Sequence, residues 1–280
     1  MIDIHTHILP NIDDGARSIE ETFNLIKEAK NVGFETIVLT SHYMEGYYET
    51  DTPEREVWVN AIYENLQAKN IDVKLYLGNE IYLSENMIKF MEEGKASTIN
   101  DTSYVLFELP LEEEPENLYD TIYQMQQYKI VPILAHPERY SFIQKDPEIV
   151  YDLIQKGVLM QANYGSIIGQ YGEKAKIIVE KLLENNMIHM LGSNAHRPNT
   201  IYPKIPQILS ELNDLLGEEK LKKLTTINPK LVLSNKRIDI EEPHIIELTW
   251  KEKIQLAKGD SFTSIIKDII KHIPVINKEN

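Results

Sequence analysis

The sequence predicts an α/β protein whose parallel strands close into a barrel, and three observations carry that expectation. Seven short apolar segments of strand character recur along the first 234 residues. Segments of helical periodicity separate them. Imidazole or carboxylate groups then stand at the end of strand after strand. Strands that alternate with helices pair in parallel, and seven such units are too regular for two unrelated domains. With 280 residues, 42% of them hydrophobic, the chain can bury a large core.

The first expected strand, Met1–His5, runs into the loop of IDIHTHILPNIDDG. The helix after it is announced by Ser18 and Glu21 at capping-box spacing, by apolar Phe23, Ile26 and Ala29, and by Gly33 at its end. Thr36–His42 and Val73–Glu80 are the second and third strands. Ser103–Leu109, Ile130–His136 and Val158–Asn163 follow, and Ile188–Asn194 is the last. A helix over Ile177–Asn186 leads into that last strand. After about Ser234 the alternation stops. Residues 1–235 are therefore expected to form the barrel and 236–280 a C-terminal extension, within which the amphipathic Phe262–Ile273 is expected to be a docked helix.

Charge and composition exclude several functions. Asp plus Glu number 44 against 29 Lys plus Arg, a formal net charge of -15, which repels phosphate backbones and argues against nucleic-acid binding. There is no cysteine, so disulfides, thiolate zinc sites and cysteine nucleophiles are out. Any metal must be held by histidine and carboxylate, a set that suits Mn, Fe or Zn. No apolar run approaches the roughly 20 residues of a membrane span. The chain reads directly into IDIHTH without a basic region and apolar stretch, which makes a cytoplasmic protein the expectation.

The chemistry-bearing residues share one location. His5 and His7 are two apart, so on a strand they face the same way. His42 closes IVLTSH, Glu80 closes LYLGNE, Glu108 ends YVLFE, His136 ends VPILAH, and His196 follows IHMLGSN. In parallel α/β folds, active sites assemble at the C-terminal ends of the strands. Asp14, in the loop beyond the first strand, adds a carboxylate. A single such residue is explained by packing; five at five strand ends, besides the His5/His7 pair, point to a metal centre. Charged groups in a barrel mouth cost several kcal/mol unless they are paired or ligated.

With these residues in hand, DIHTHILPNIDDG, AHPER (Ala135–Arg139) and GSNAH (Gly192–His196) resemble the PHP (polymerase and histidinol phosphatase) superfamily. More narrowly, they resemble its manganese-dependent bacterial tyrosine phosphatases encoded with capsule and exopolysaccharide genes. The resemblance runs from Met1 to about Ser234 and implies a distorted seven-stranded barrel of the PHP type holding three Mn²⁺ ions. By position, it implies one ion on His5, His7 and Glu80, a second on Glu80, Glu108 and His136, and a third on Asp14, His42 and His196. Where the family has an aspartate, this chain has Asn194, whose neutral carbonyl is expected to weaken one metal. Arg139 is implied as a catalytic phosphate clamp, against the alternative of an ion pair with Glu138. Arg197 either replaces a later family arginine or faces solvent.

The implied reaction is attack by a metal-activated hydroxide on the phosphorus of phosphotyrosine. The implied partner is the phosphotyrosine-bearing tail of a bacterial tyrosine kinase that governs polysaccharide synthesis. Tyr43, Tyr47 and Tyr48, clustered after His42, are candidates to sandwich the substrate ring, with loop packing as their alternative. NYGSIIGQYG (Asn163–Gly172) reads as an ordinary turn, and His189 as a core residue. Competing expectations are a small-molecule phosphoesterase of the histidinol phosphatase kind, and an impaired barrel that binds phosphotyrosine without turnover.

Overall fold

Every expected strand segment contains extended backbone in the computed structural model, which describes residues 1–258, but two of them break partway. The strands are β1 (Ile2–Asp3), β2 (Thr36–Leu39), β3 (His42–Tyr43), β4 (Lys74–Leu77), β5 (Glu80–Tyr82), β6 (Tyr104–Glu108), β7 (Val131–Ala135), β8 (Leu159–Asn163) and β9 (Met190–Gly192). All pairings are parallel, in the orders β1-β2-β4 and β3-β5-β6-β7-β8-β9. The architecture is thus α/β with parallel sheets. In place of one closed seven-stranded barrel, the described residues form two sheets.

The breaks have a local cause. They fall at Thr40-Ser41 and Gly78-Asn79, where polar residues and glycine interrupt the apolar runs. Glu80 N donates across the gap to Thr40 O at 3.1 Å, so the chain re-registers there. Between the first and last strands a single bridge pairs Thr6 with Ala195. His7 N donates to Ala195 O (3.0 Å) and Asn194 N to His5 O (2.9 Å).

Helix α1 (Ile19–Asn31) starts as expected, with Ser18 accepting a hydrogen bond from Glu21 N. The Glu21 carboxylate reaches back to Arg17 N, one residue before the cap. Phe23, Leu25, Ile26 and Ala29 are its buried stripe, and Gly33 at φ 98° ends it because that left-handed turn disfavours a side chain. Helix α2 (Thr52–Ala68), capped by Asp51, buries only Arg55, Ile62 and Leu66. The helix ahead of β9 spans Glu173–Glu184.

Inside the sheets, Ile4, Val38, Leu106, Ile133, Ala135, Leu159 and Met190 form an apolar cluster that Val232 and Ile238 also join. Burying each large aliphatic side chain contributes about 1.5–3 kcal/mol. The chain divides into two units, Met1–Ile246 and a second that begins at Glu247. In the second, Thr249 and Glu252 form a capping box on a helix over Trp250–Leu256. The expected helix Phe262–Ile273 lies outside the described residues. Among the described residues, no helix is long and apolar enough to cross a membrane.

Candidate metal centre

Glu80 is the hub of the polar end of the sheets. It starts β5 directly after the Gly78-Asn79 break and is fully buried. Its Oε2 lies 3.1 Å from His5 Nε2, 3.1 Å from His7 Nε2 and 3.2 Å from His42 Nδ1. Its Oε1 lies 2.9 Å from His136 Nε2. One carboxylate thus meets four imidazoles from three strand ends. Glu108 closes β6 at 2.9 Å from His42 Nδ1 and 3.9 Å from His136 Nε2. On the outer side, Asp14 Oδ1 lies 3.2 Å from His196 Nδ1 and 3.5 Å from His42 Nε2.

Two neighbours that sequence reasoning missed fix the inner histidines. His7 Nδ1 donates to Asp13 Oδ2 at 2.8 Å, and His5 Nδ1 donates to Gln161 Oε1 at 2.6 Å. Asp13 also accepts from His42 N and Gly15 N. Holding the proton on Nδ1 leaves both Nε2 atoms as lone-pair donors. Those two atoms face each other at 3.0 Å and face Glu80 Oε2, an arrangement that repels unless a proton or cation sits between them. Glu80 Oε2, His42 Nδ1 and His136 Nδ1 are buried without a hydrogen-bond partner. Separations of 3.0–3.2 Å fit adjacent ligands at right angles around an ion about 2.1 Å away. The donors therefore fit metal ions.

Three groups could each hold an ion: His5/His7/Glu80, His42/Glu80/Glu108 and His7/Asp14/His42/His196. This departs from the expected sets in two ways. His42 stands with Glu80 and Glu108, where His136 also lies 2.9 Å from Glu80 and 3.9 Å from Glu108, and His7 joins the outer group. His7 and His42 each belong to an inner group and to the outer one, which is why strand position alone does not sort them.

The electrostatics respond to this crowding. Burial opposes charge on His7, but Asp13 and Glu80 overcome it and raise the imidazole to about 10. Glu80 is held well below the carboxylate range despite burial, by His5, His42 and His136. Burial and the Glu80 charge push Glu108 up. Burial takes His136 and His196 down to about 4, the latter helped by His7. A proton on His7 thus occupies the place a cation would take.

The backbone is shaped to this end. His136 adopts φ 37° and Asn194 φ 50°, left-handed conformations uncommon for side-chain-bearing residues and frequent at functional sites. A Cβ at Gly15 would clash with the His7 carbonyl, and one at Gly192 would meet His5 Cβ at 2.7 Å. Asn194 Oδ1 accepts from His196 Nε2 at 2.8 Å.

Above the cluster opens a cavity of about 420 Å³, lined among others by Glu108, His136, Arg139, Tyr171, Asn194 and Arg197. The Arg139 guanidinium stacks over the Tyr171 ring, 4.5 Å from its centroid. Its alternative partner Glu138 is turned inward, accepting from Asn163 N and Ser166 Oγ. Arg197 lines the cavity and donates to Gly15 O and His196 O. The segment read as an ordinary turn supplies Gln170 and Tyr171 to the wall. Its signal was the glycine spacing: a Cβ at Gly165 would crowd both residues.

The tyrosine expectation needs correcting. Tyr43 is 2% exposed and packs on Phe90, because on β3 it points opposite to His42. Tyr47 is 77% exposed at the tip of the Met44–Tyr48 turn. Tyr48 alone stays at the site, its ring stacked 5.8 Å from that of His42. His189 is buried, as expected, and accepts from Met160 N.

Known proteins match this chain along most of its length. The family described as capsular polysaccharide synthesis, CpsB/CapC, matches residues 1–234. A putative tyrosine-protein phosphatase CapC of Staphylococcus aureus is 31% identical over 243 residues, 87% of this chain and 95% of that protein. Tyrosine-protein phosphatase YwqE of Bacillus subtilis (strain 168) is 30% identical over 247 residues, 88% of this chain and 97% of its own length. A crystal structure from work on YwqE of Bacillus subtilis and CpsB of Streptococcus pneumoniae, described as unique metal-dependent tyrosine phosphatases, superposes with TM-score 0.83 at 30% identity. It covers 89% of this chain and all of that one.

Proposed function

The chain belongs to the CpsB/CapC family, and on that premise we propose that it is a metal-dependent protein-tyrosine phosphatase. Its substrate would be phosphotyrosine on the tail of a cytoplasmic-facing bacterial tyrosine kinase that controls capsular or extracellular polysaccharide synthesis, and it would act in the cytoplasm. The observation that carries this reading is the Glu80 hub, four imidazoles around one buried carboxylate beneath a cavity walled by Arg139. The two sheets are read here as one distorted seven-stranded ring of the PHP type. The Thr6–Ala195 bridge and the short breaks between β2 and β3 and between β4 and β5 support that.

Three Mn²⁺ ions are the proposed complement. His5, His7 and Glu80 would hold one. Glu80 and Glu108 with His42 and His136 would hold the second. Asp14, His42, His196 and His7 would hold the third, with Asn194 as a neutral neighbour. When bound, such ions supply Lewis acidity at phosphoryl oxygens and an activated water for attack on phosphorus. The chain's own groups do the rest. Asp13 and Gln161 keep His7 and His5 in the ligating tautomer. Arg139 would clamp a phosphate oxygen and offset charge on the phosphoryl group, a role supported by its place in the cavity wall against Tyr171. Arg197, which lines the cavity and is anchored on Gly15 O, would take the same role from the opposite loop. A phenolate, with a parent pKa of about 10, leaves without needing a strong general acid.

The test is phosphate release from a phosphotyrosine peptide with added Mn²⁺, beside a chelator control and histidinol phosphate as competing substrate. Chelator-sensitive release from the peptide in preference to histidinol phosphate is the expected result. Turnover of histidinol phosphate alone would move the assignment to small-molecule phosphoesters. Tight peptide binding without release would make the chain a phosphotyrosine-binding module.

A further inference from the structure

Helix α2 hides an arginine where an aliphatic residue belongs. Its buried stripe is Arg55, Ile62 and Leu66, and Arg55 is completely inaccessible to solvent. The guanidinium has neutral partners: Nη1 donates to Gly78 O at 2.6 Å, and Nη2 to Thr52 Oγ1 at 2.9 Å and Ser97 Oγ at 3.2 Å. Burial pulls it down to about 10. A charge kept dry on neutral acceptors is costly, and a leucine in the stripe would avoid that cost.

What it gains lies at the strand breaks. Ser97 N donates to Asn79 Oδ1 at 2.8 Å, and Asn79 Nδ2 donates to Ser41 O at 2.8 Å. Gly78 and Asn79 immediately precede Glu80, and Ser41 immediately precedes His42. One buried chain of hydrogen bonds, starting at Arg55, therefore clamps the two interruptions from which the hub carboxylate and its neighbouring imidazole emerge. A carbonyl at a strand break has lost its ladder partner and needs another donor. Arg55 supplies that donor at Gly78 and, through Ser97, steadies Asn79.

We infer that Arg55 is a positioning residue for the metal centre: it fixes the Gly78-Asn79 and Ser41 breaks and thereby the aim of Glu80 and His42. The inference rests on the metal reading of that centre. Arg55 touches neither ligand nor cavity, so its effect is felt in metal affinity.

The experiment is calorimetric titration of Mn²⁺ into the metal-free full chain, with melting temperatures in chelator and in excess Mn²⁺. Arg55→Met fills the same volume without the fork, Arg55→Lys keeps one donor, and Ser97→Ala cuts one link. Arg55→Met is expected to weaken Mn²⁺ binding about tenfold or more, the size seen when support of a ligand shell is lost. Its melting temperature in chelator should change little, so the gap between the two melting curves narrows. Arg55→Lys should fall between it and the unaltered chain, and Ser97→Ala should shift affinity the same way by a smaller factor. If Arg55→Met does not fold, Ser97→Ala decides alone. Affinities equal to that of the unaltered chain overturn the inference, as does a loss of melting temperature in chelator that leaves affinity intact. Failure of the unaltered chain itself to bind Mn²⁺ overturns the metal reading, and with it this one, through a separate result.

Discussion

Leu106 and Glu108 stand two residues apart on one face of β6, yet the first lies in an apolar cluster and the second in a nest of imidazoles. The same division recurs on neighbouring strands. Ile4 precedes His5, and Ile133 and Ala135 precede His136. The interior of the sheets is therefore one column with two unlike halves. The lower half is held by burial of aliphatic surface, needs no partner and is tolerant of detail. The upper half gathers buried charges whose mutual attraction is set against the cost of taking them out of water. The difference teaches that stability and chemistry draw on separate layers of the same strands, and mutations should separate them.

The strongest test sets the two halves against each other. Glu80→Ala is expected to abolish metal-dependent turnover, by about a thousandfold or more, since the shared ligand of two ion groups disappears. Its chelated form should lose some stability too, because the imidazoles that Glu80 pairs are left buried without their anion, but only this variant should lose metal binding. Ile133→Ala, fully buried in the lower half, should cost about 2–5 kcal/mol of unfolding free energy while leaving Mn²⁺ affinity unchanged. Denaturant melts and metal titrations on both variants check this. Loss of metal affinity in Ile133→Ala would erase the division.

Asp13 sharpens the comparison within the upper half. It touches no expected ion, but it orients His7 and receives His42 N. Asp13→Asn keeps the shape and can present an N–H to His7 in place of an acceptor, so Mn²⁺ affinity should fall about 10–100-fold. The same titration measures it. An unchanged affinity would mean that His7 is held by packing instead.

How much of this was legible depends on periodicity. Ligands on strand ends were readable because strand segments can be located and each end faces the site. Tyr43 was misplaced as a substrate contact because the strand was expected to end at His42; extended backbone continues through Tyr43, which must therefore face away from His42 and packs instead. Asp13 and Asp14 sit in a loop with no period, so nothing local says which carboxylate turns inward. Gln161 is a polar residue on a strand buried throughout, a signal that amide chemistry alone does not tie to metals. The breaks in β2/β3 and β4/β5 were spelled out by LTSH and LGNE, but their consequence, two sheets instead of one, is written in neither stretch alone.

Asn194 marks the edge where the upper half has one anion fewer. Its carbonyl oxygen lies against His196 and the cavity. Asn194→Asp adds a hard anionic oxygen, and the ion held by Asp14, His42 and His196 should bind about tenfold tighter as ligand charge rises. Mn²⁺ titration resolves it as a change confined to the weakest step. Peptide turnover at limiting Mn²⁺ should rise with it, and a fall in both would show that the amide is required where it stands.

The smallest effect comes from a histidine that belongs to neither function. His189 is buried under β9, where Nδ1 accepts from Met160 N and Nε2 has no hydrogen-bond partner. Burial lowers its pKa to about 4, against an ordinary value near 6.5. The folded state then binds fewer protons than the unfolded chain between those values. Its contribution to stability is complete above about pH 6.5 and is lost as the pH falls toward 4. Between pH 7 and 5.5 the loss amounts to about 1 kcal/mol, the value for a folded pKa of about 4. His136 and His196 titrate in the same window, so the measurement must be a difference. Thermal unfolding of His189→Gln and of the unaltered chain, both saturated with Mn²⁺, should show a shallower fall with acid in the variant. Parallel curves would mean that the buried imidazole takes up its proton without disturbing the fold, and that the acid sensitivity of the protein lies wholly in the metal half.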